Sequence, residues 1–225
     1  MRMLAVFEKG ERIRHIGHLD IQRSVQRGLR RSGLPVAYSQ GYNPHILITF
    51  ASALSTGACG KREIMDVTMA RDVSETEFLH HMNDSMPPEM QLSDVRAIDN
   101  HHPSLTSMLR AAEYDLLIRD ETVAQKLIAA IPGMMDLERI MTMRKTKTKM
   151  TECDIKPLIL SLRGKGNHLI TTLVLTEKES CKPQMLLDAL KLQAGITDAD
   201  VRILITRLAL YGRNETGELI PLEKL

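Results

Sequence analysis

The sequence predicts an α+β fold made of two tandem ferredoxin-like units with antiparallel sheets. Segments with strand and helix patterns follow one another in the order β-α-β-β-α-β, and a similar order follows a polar break near residue 100. We therefore predict two domains. Residues 1–100 hold an arginine-rich helix and the loop S-Q-G-Y-N-P-H, and residues 101–225 hold a basic strand.

The clearest helix is predicted at residues 18–31. Ile21, Val25 and Leu29 fall on one face of it at the helical period, and these residues form the predicted core face. Gly28 lies beside them, where the lack of a side chain would permit close approach to a sheet. The motif G-L-P at residues 33–35 supplies a glycine stop and a proline that prevents continuation.

The other elements of the first domain follow from apolar runs and turn residues. A helix begins after Ser74, where S-E-T-E is a capping box, and stops at the double proline 87–88. The predicted strands are residues 3–7, 46–51, 63–69 and 90–98.

The second domain repeats this order with an extra strand or hairpin. Its predicted strands are residues 114–118, 168–175 and 201–211, its extended segments 137–146 and 154–162, and its helices 121–131 and 182–194. We expect the dipeptide Pro132-Gly133 to end the first of these helices. No residue-level repeat links the two halves, so they share only the order of their predicted strands and helices.

Composition limits the class of protein. The hydrophobic fraction of 43% and the charged fraction of 26% are ordinary for a globular chain. No apolar run approaches the roughly 20 residues of a membrane span, and the N-terminus has no signal-peptide pattern. The three cysteines form no C-x-x-C pair, which indicates neither a disulfide framework nor a zinc ribbon. We expect a cytoplasmic protein with no membrane contact, no metal and no cofactor.

Arginines mark one face of the helix at residues 18–31. Only Asp20 offers an acidic partner there, next to Arg23, so internal ion pairs explain the pattern poorly. The face is either a solvated surface or a phosphate-binding surface, because guanidinium groups bind phosphate in bidentate fashion. The candidate residues are Arg12, Arg14, Arg23, Arg27, Arg30 and Arg31.

Lysines alternate in a second basic segment, R-K-T-K-T-K, which places them on one side of an extended chain. They either contact nucleic acid or only protect a strand edge. The residues concerned are Lys145, Lys147 and Lys149.

The loop after the arginine helix concentrates hydrogen-bonding side chains. Aromatic residues are only 3% of the chain, yet two of its four tyrosines lie here. Gly41 and Pro44 restrict the loop, which either satisfies its own backbone or recognises bases or a small ligand. The candidate recognition residues are Tyr38, Gln40, Tyr42 and Asn43.

Three histidines lie in the same region, but they are a weak indication of chemistry. The H-x-x-H spacing of His15 and His18 is not specific for a metal. His18 and Asp20, with His45 in the same region, are candidates for general acid–base catalysis. His18 is equally compatible with packing or capping at the helix start, and no nucleophile is apparent.

Several of these motifs together resemble a bacterial family called radical SAM-associated, or radical SAM-linked, proteins. The matching segments are R-I-R-H-I-G-H-L-D, R-G-L-R-R-S-G-L-P, Y-S-Q-G-Y-N-P-H, E-I-M-D and, later, D-I-K-P. The family patterns are R-hydrophobic-x-S-H-L-D, R-A-h-R-R-A-G-L-P, Y-S-x-G-F-N-P-H, E-Y-x-D and D-I-R-P. The resemblance is dense over residues 12–66, and departs from the family where Gly17 and Cys59-Gly60 stand at positions of a usual serine.

The resemblance implies a domain fused to, or encoded beside, a radical SAM protein of the cobalamin-binding type, often near a ribonuclease. The chain has no C-x-x-x-C-x-x-C cluster motif and is not itself the radical enzyme. Three functions remain open. The first is an accessory RNA-binding protein that presents RNA to a radical SAM partner. The second is a metal-free endoribonuclease that uses a histidine, and the third is a protein-interaction module that docks on the partner.

Overall fold

Strands and helices alternate along the chain in a computed structural model, which describes residues 1–145, 149–197 and 201–225. The fold is mixed α+β with a large, mostly antiparallel sheet. Within the described residues the five helices are His18–Arg31 (α1), Glu75–Ser85 (α2), Leu105–Met108 (α3), Glu121–Met135 (α4) and Pro183–Gln193 (α5). None of these helices is long and apolar enough to cross a membrane.

The strands of the described residues number eleven. In the first half they are Arg2–Lys9 (β1), Ile48–Phe50 (β2), Cys59–Thr68 (β3) and Leu92–Ile98 (β4). In the second half they are Ala111–Ile118 (β5), Met141–Lys145 (β6), Met150–Asp154 (β7), Ile159–Lys165 (β8), His168–Val174 (β9), Ile203–Arg213 (β10) and Leu219–Pro221 (β11).

The chain divides into two compact units. Unit 1 comprises Met1–Leu109 together with Ala209–Leu225, and unit 2 comprises Arg110–Leu208. This division differs from the predicted one at residue 100, because the last residues pack with the N-terminal unit. Arg62 donates from Nε to the Glu223 carboxylate at 2.9 Å, for example. Such long-range pairing leaves no local pattern in the sequence.

In unit 1, β1 lies between β4 and β3 and is antiparallel to both, while β2 pairs antiparallel with β3. Met3, Ala5 and Phe7 of β1 join the core beneath α1 and α2. Leu4 and Val6 point to the opposite side and are also buried. Burial on both faces explains why β1 is a continuous apolar run rather than an alternating one.

The two long helices of unit 1 start and pack differently. The Ser74 hydroxyl accepts the Glu77 N–H at 3.1 Å, as the capping box predicts, whereas Gly17 gives α1 no side-chain cap. A Cβ on Gly28 would lie 2.5 Å from Met86 Sδ. The expected close approach to a sheet is therefore wrong, because Gly28 makes room for a residue at the end of α2.

In unit 2, β5 lies between β10 and β9, and β8 pairs with the other side of β9. The region predicted as two extended segments, 137–146 and 154–162, holds three strands. β7 lies between the two predicted segments and forms a separate hairpin with β6 ahead of β8. Asp154 holds the hairpin base by accepting the N–H groups of Ile140 and Lys156, both at 2.9 Å. These two bonds lower the pKa of Asp154.

The predicted stop of α4 at Pro132 is wrong, because the helix continues to Met135. Proline lacks the N–H that would bond the carbonyl one turn earlier, yet three further residues follow it in helical conformation. The Asp136 N–H bonds the Pro132 carbonyl at 3.0 Å and completes the final turn.

Candidate nucleic-acid surface

The arginines of α1 lie on the face opposite its buried residues Ile21, Val25 and Leu29. Two of them are engaged. Arg23 pairs with Asp20 at 2.9 Å, and Arg31 donates to the Ser85 carbonyl at 2.6 Å. Arg27 and Arg30 are exposed, and within the described residues neither forms a hydrogen bond or an ion pair. Two guanidinium groups one turn apart are thus available to an outside ligand.

Arg12 and Arg14, which the sequence adds to this surface, are both close to acidic groups. The Arg12 side chain is 88% exposed, and its Nε lies 3.7 Å from Glu89. Arg14 donates to the Glu11 carbonyl at 3.1 Å and lies 3.5 Å from its carboxylate. Exposed pairs of this kind contribute about 0–1 kcal/mol, so a phosphate can compete for both arginines.

The loop of residues 38–46 is a braced hairpin. At its base, Tyr38 and Ile46 form an antiparallel bridge. The neighbouring Ala37 N–H bonds the Thr68 carbonyl of β3 at 2.8 Å. Higher up, the Ser39 hydroxyl accepts the His45 N–H at 3.1 Å and lies 2.8 Å from His45 Nδ1. The prediction of an ordered loop agrees with this geometry, because backbone and side-chain bonds close it at two levels.

The tip of the loop projects its side chains into solvent. Tyr42 is 103% exposed and Tyr38 43% exposed. Gln40 and Asn43 are exposed as well. Gly41 has a φ of +123°, a backbone conformation that other residues rarely adopt, so the reversal depends on it. An exposed ring on a braced backbone can stack on a base without a large loss of entropy.

The second basic segment lies in unit 2 and is only partly described. Lys145 ends β6 opposite Met150, and only its backbone is described. Lys147 lies outside the described residues. Lys149 is described and exposed. Arg144 is turned inward and donates to the Ser180 carbonyl at 3.0 Å. The lysines therefore remain predicted contacts.

The histidines occupy separate sites. His45 belongs to the loop, and His18 packs edge-on against Phe50 with ring centroids 5.5 Å apart. His15 is exposed. No group of three potential ligands gathers around a metal position in the described ranges. Asp20 bonds to Arg23 at 2.9 Å, and the pairing of His18 with Asp20 stays a prediction.

Two of the three cysteines have a raised pKa. All three are free thiols, and burial raises the pKa of Cys181 to about 12. Burial is also the main cause that raises the pKa of Cys59. Both thiols are protonated at neutral pH and act as small apolar side chains.

Sequence reasoning missed a narrow cleft that His18 shares with two buried charges. Lys9 is 2% exposed and Glu63 is 5% exposed, and both line the cleft with the rings of Phe7 and Phe50. Lys9 donates to the Arg14 carbonyl at 2.9 Å. A signal was present in the sequence, because Lys9 is two residues from Phe7, a spacing that places both on one face of a strand.

Sequence reasoning also missed an ion pair between the half-buried Arg2 of β1 and the buried Asp66 of β3. Arg2 Nε bonds both oxygens of Asp66 at 3.1 and 3.0 Å, and its remaining nitrogens bond Asp66 again and the Asn100 and His102 carbonyls. The bond to Asp66 is the main cause that raises the pKa of Arg2. This arginine has no donor directed to a ligand, so its role is structural.

Residues 2–183 match the model of DUF2344, a family of uncharacterized proteins conserved in bacteria. The chain belongs to this family. No curated protein matches the sequence. The match spans α1, the braced loop and the β6–β7 hairpin, so the candidate surface of this DUF2344 member lies in the part that defines the family.

Proposed function

We propose that this DUF2344 protein is a cytoplasmic accessory protein that binds RNA and presents it to a radical SAM partner enzyme. One observation carries the proposal. Arg27 and Arg30 are exposed on α1 and have no partner within the described residues. Backbone phosphates are the ligands that guanidinium forks bind best.

The braced loop supports RNA rather than a simple anion as the ligand. Tyr42 offers a fully exposed ring, and base stacking on aromatic side chains contributes about 1–3 kcal/mol per base. Gln40 and Asn43 beside it carry amide groups that can bond base edges. Single-stranded RNA has such accessible bases, so we expect it to bind more tightly than duplex RNA.

The radical SAM partner comes from the resemblance of residues 12–66 and of D-I-K-P to radical SAM-linked proteins. A chain without the C-x-x-x-C-x-x-C motif would need a separate enzyme for any radical chemistry. Presenting a bound substrate is a role that requires no catalytic group in this chain.

We also infer that the chain forms two tandem ferredoxin-like folds, the first with β1 to β4 and the second with β5, β8, β9 and β10. The strand orders support this inference. The first fold would have the order β4-β1-β3-β2 and the second the order β10-β5-β9-β8, each with helices after its first and third strands. The β6–β7 hairpin would then be an insertion in the second fold.

The test is a fluorescence anisotropy titration with a labelled single-stranded RNA at low salt. The Arg27→Glu/Arg30→Glu double variant should bind at least about tenfold more weakly, because two phosphate contacts become repulsive. Lys224→Glu, an exposed cation on the C-terminal turn of the same unit, is the matched control and should bind like wild type. Absence of binding at low salt, or equal binding by the double variant, would overturn the proposal.

A metal-free endoribonuclease is the second candidate, favoured by the cleft that gathers His18, Lys9 and Glu63. An imidazole beside an ammonium and a carboxylate can transfer a proton near neutral pH. Labelled RNA incubated with wild type and His18→Ala decides the matter. Cleavage at the same background rate by both proteins would exclude it.

A further inference from the structure

We propose that the sheet of unit 2 binds a phosphate group between Lys165 and His168, and that protonation of His168 controls the affinity. Lys165 ends β8 and lies directly opposite His168, the first residue of β9. His168 bonds Asp115 of β5, whereas the exposed Lys165 has no such partner within the described residues. The site lies in unit 2, so it goes beyond the proposed RNA surface on α1 and does not rest on it.

The register places these side chains on the sheet face that points away from α4. A Cβ on Gly164 would lie 2.5 Å from Ile128 of α4, so this side of β8 faces the helix. Successive residues of a strand point to opposite faces, so Arg163 and Lys165 point the other way. His168 shares their face, because residues directly opposite each other in an antiparallel ladder lie on the same face. Its side chain is 40% exposed and that of Arg163 is 69% exposed.

Asp115 fixes the orientation of the His168 ring. Nδ1 lies 2.8 and 3.0 Å from the two carboxylate oxygens. An ionised carboxylate only accepts hydrogen bonds, so Nδ1 carries a hydrogen and donates it. Nε2 then holds a lone pair in the neutral ring and a second N–H in the imidazolium. This atom has no hydrogen-bond partner in the part of the chain that the structure describes, so the second N–H is available to an anion.

The hairpin between β8 and β9 holds the lysine and the histidine close together. Its loop consists of Gly166 and Asn167, and Gly166 has a φ of +61°. The Asn167 amide donates to the Ile118 carbonyl at 3.2 Å, and the Ile118 N–H bonds the Asn167 carbonyl at 2.9 Å. Residues directly opposite each other have Cβ atoms about 4.5–5.5 Å apart, so the Lys165 ammonium and the His168 ring can contact one tetrahedral anion.

The charges on this face favour an anion on the side of β8. Arg163 lies 3.6 Å from Glu113, and His168 is paired with Asp115, so each carboxylate of β5 has a cationic partner. Lys165 is the cation in excess. Since β9 separates β5 from β8, the backbones of the two outer strands lie about 9.6 Å apart. The carboxylates therefore repel an anion beside Lys165 only weakly.

Protonation of His168 should strengthen the site. The charged groups near its ring lie on β5, on β8 and just after β5. They are Glu113, Asp115, Arg163, Lys165 and Arg119, the last of which already has a partner. Histidine is the residue type among them that ordinarily changes its charge between about pH 5 and pH 8. The imidazolium adds a donor and a positive charge, so the affinity for the anion should rise as the pH falls.

The test is a titration of the full chain with sulfate, followed by NMR of the His168 imidazole signals. Sulfate is a tetrahedral dianion that does not titrate near neutral pH, so a pH dependence of binding comes from the protein. Wild type should bind sulfate at least about fivefold more tightly at about pH 6 than at about pH 8, because the charge-assisted hydrogen bond needs the imidazolium.

Two variants separate the roles of the two side chains. Lys165→Gln removes the cation in excess and should weaken sulfate binding about fivefold at both pH values. His168→Gln keeps a polar side chain and should abolish the difference between the two pH values. Lys178→Gln changes an exposed lysine in the loop after β9, and this matched control should bind sulfate like wild type.

Three results would each overturn the proposal. They are no shift of the His168 signals on addition of sulfate, equal wild-type affinity at the two pH values, and unchanged affinity of Lys165→Gln. If His168→Gln unfolds, the pH comparison on wild type and the Lys165→Gln titration still decide the matter.

Two further ligands identify the source of the phosphate. A single-stranded RNA with hydroxyl ends carries only phosphodiesters, whereas a nucleoside 5′-monophosphate carries only a monoester. A shift of His168 with the RNA assigns the site to backbone phosphates, and a shift with the monophosphate alone assigns it to a small phosphorylated ligand. No shift with either would overturn the proposal. Arg27→Glu/Arg30→Glu should bind sulfate normally at His168, so failure of the RNA proposal is distinguishable from failure of this one.

Discussion

Two groups of arginines in unit 1 have opposite surroundings. Arg2 and Arg62 lie on strands of the sheet and bond the buried carboxylates of Asp66 and Glu223, which are each 3% exposed. Arg27 and Arg30 lie on α1 and have no partner within the described residues. The same residue type therefore serves packing in one place and is available for binding in the other. Only the second group makes a candidate surface, and substitutions can test the distinction.

The largest expected effect is on stability, from the loss of a buried partner. Asp66→Ala should lower the free energy of unfolding by about 3 kcal/mol, because it leaves the Arg2 charge buried without its carboxylate. Urea denaturation measures this. Arg2→Met/Asp66→Leu is the control, and it should recover at least about half of the loss. If Asp66→Ala lowered the free energy of unfolding by less than about 1 kcal/mol, the Arg2–Asp66 pair would behave like an exposed pair, and the contrast between the two groups of arginines would be wrong.

Next in size is the effect of the exposed arginines on RNA binding. Removing Arg27 by Arg27→Ala should reduce the slope of log affinity against log salt by about 0.7, the value for one contact to a single strand. Arg30→Ala should behave alike, and both should leave the unfolding free energy within about 0.5 kcal/mol of wild type. Titrations at several salt concentrations give the slope. An unchanged slope would show that these side chains do not contact phosphate.

A smaller effect is expected where an exposed arginine already has a partner. The Arg23 and Asp20 side chains are 66% and 60% exposed, so their pair contributes little to stability. Asp20→Asn should change stability by less than about 0.5 kcal/mol and should raise RNA affinity by about twofold, since it frees Arg23 and removes a repulsive charge. Calorimetry and anisotropy measure the two effects. Weaker RNA binding by Asp20→Asn would place Arg23 outside the binding surface.

The smallest effect concerns a carboxylate that is saturated by backbone donors rather than by an arginine. The pKa of Asp154 is lowered in the folded chain, so its contribution to stability is complete above the ordinary aspartate pKa of about 3.9. That contribution is lost as the pH falls through the lower folded pKa. The difference in melting temperature between wild type and Asp154→Ala should therefore shrink below about pH 4. A difference that does not depend on pH would show that the charge of Asp154 is irrelevant.

Much of the fold is predictable because its signals are local. The core face of α1, the capping box at Ser74 and the apolar run of β1 each depend on residues within one or two turns of each other. Other features have no local signal. The helix α4 continues past Pro132 to Met135, and the last 17 residues belong to unit 1.

The candidate surface divides in the same way. The sequence by itself determined that arginines occupy the outer face of α1 and that tyrosines flank a stiff loop, because helical period and turn residues are properties of neighbouring positions. Only the tertiary structure decided which arginines have partners, that His18 lies beside Lys9 and Glu63, and that Asn83 covers the edge of β4. Ion pairs, clefts and strand edges join residues that are far apart in the chain, and the free energy of such contacts depends on burial and distance, which only the folded chain defines.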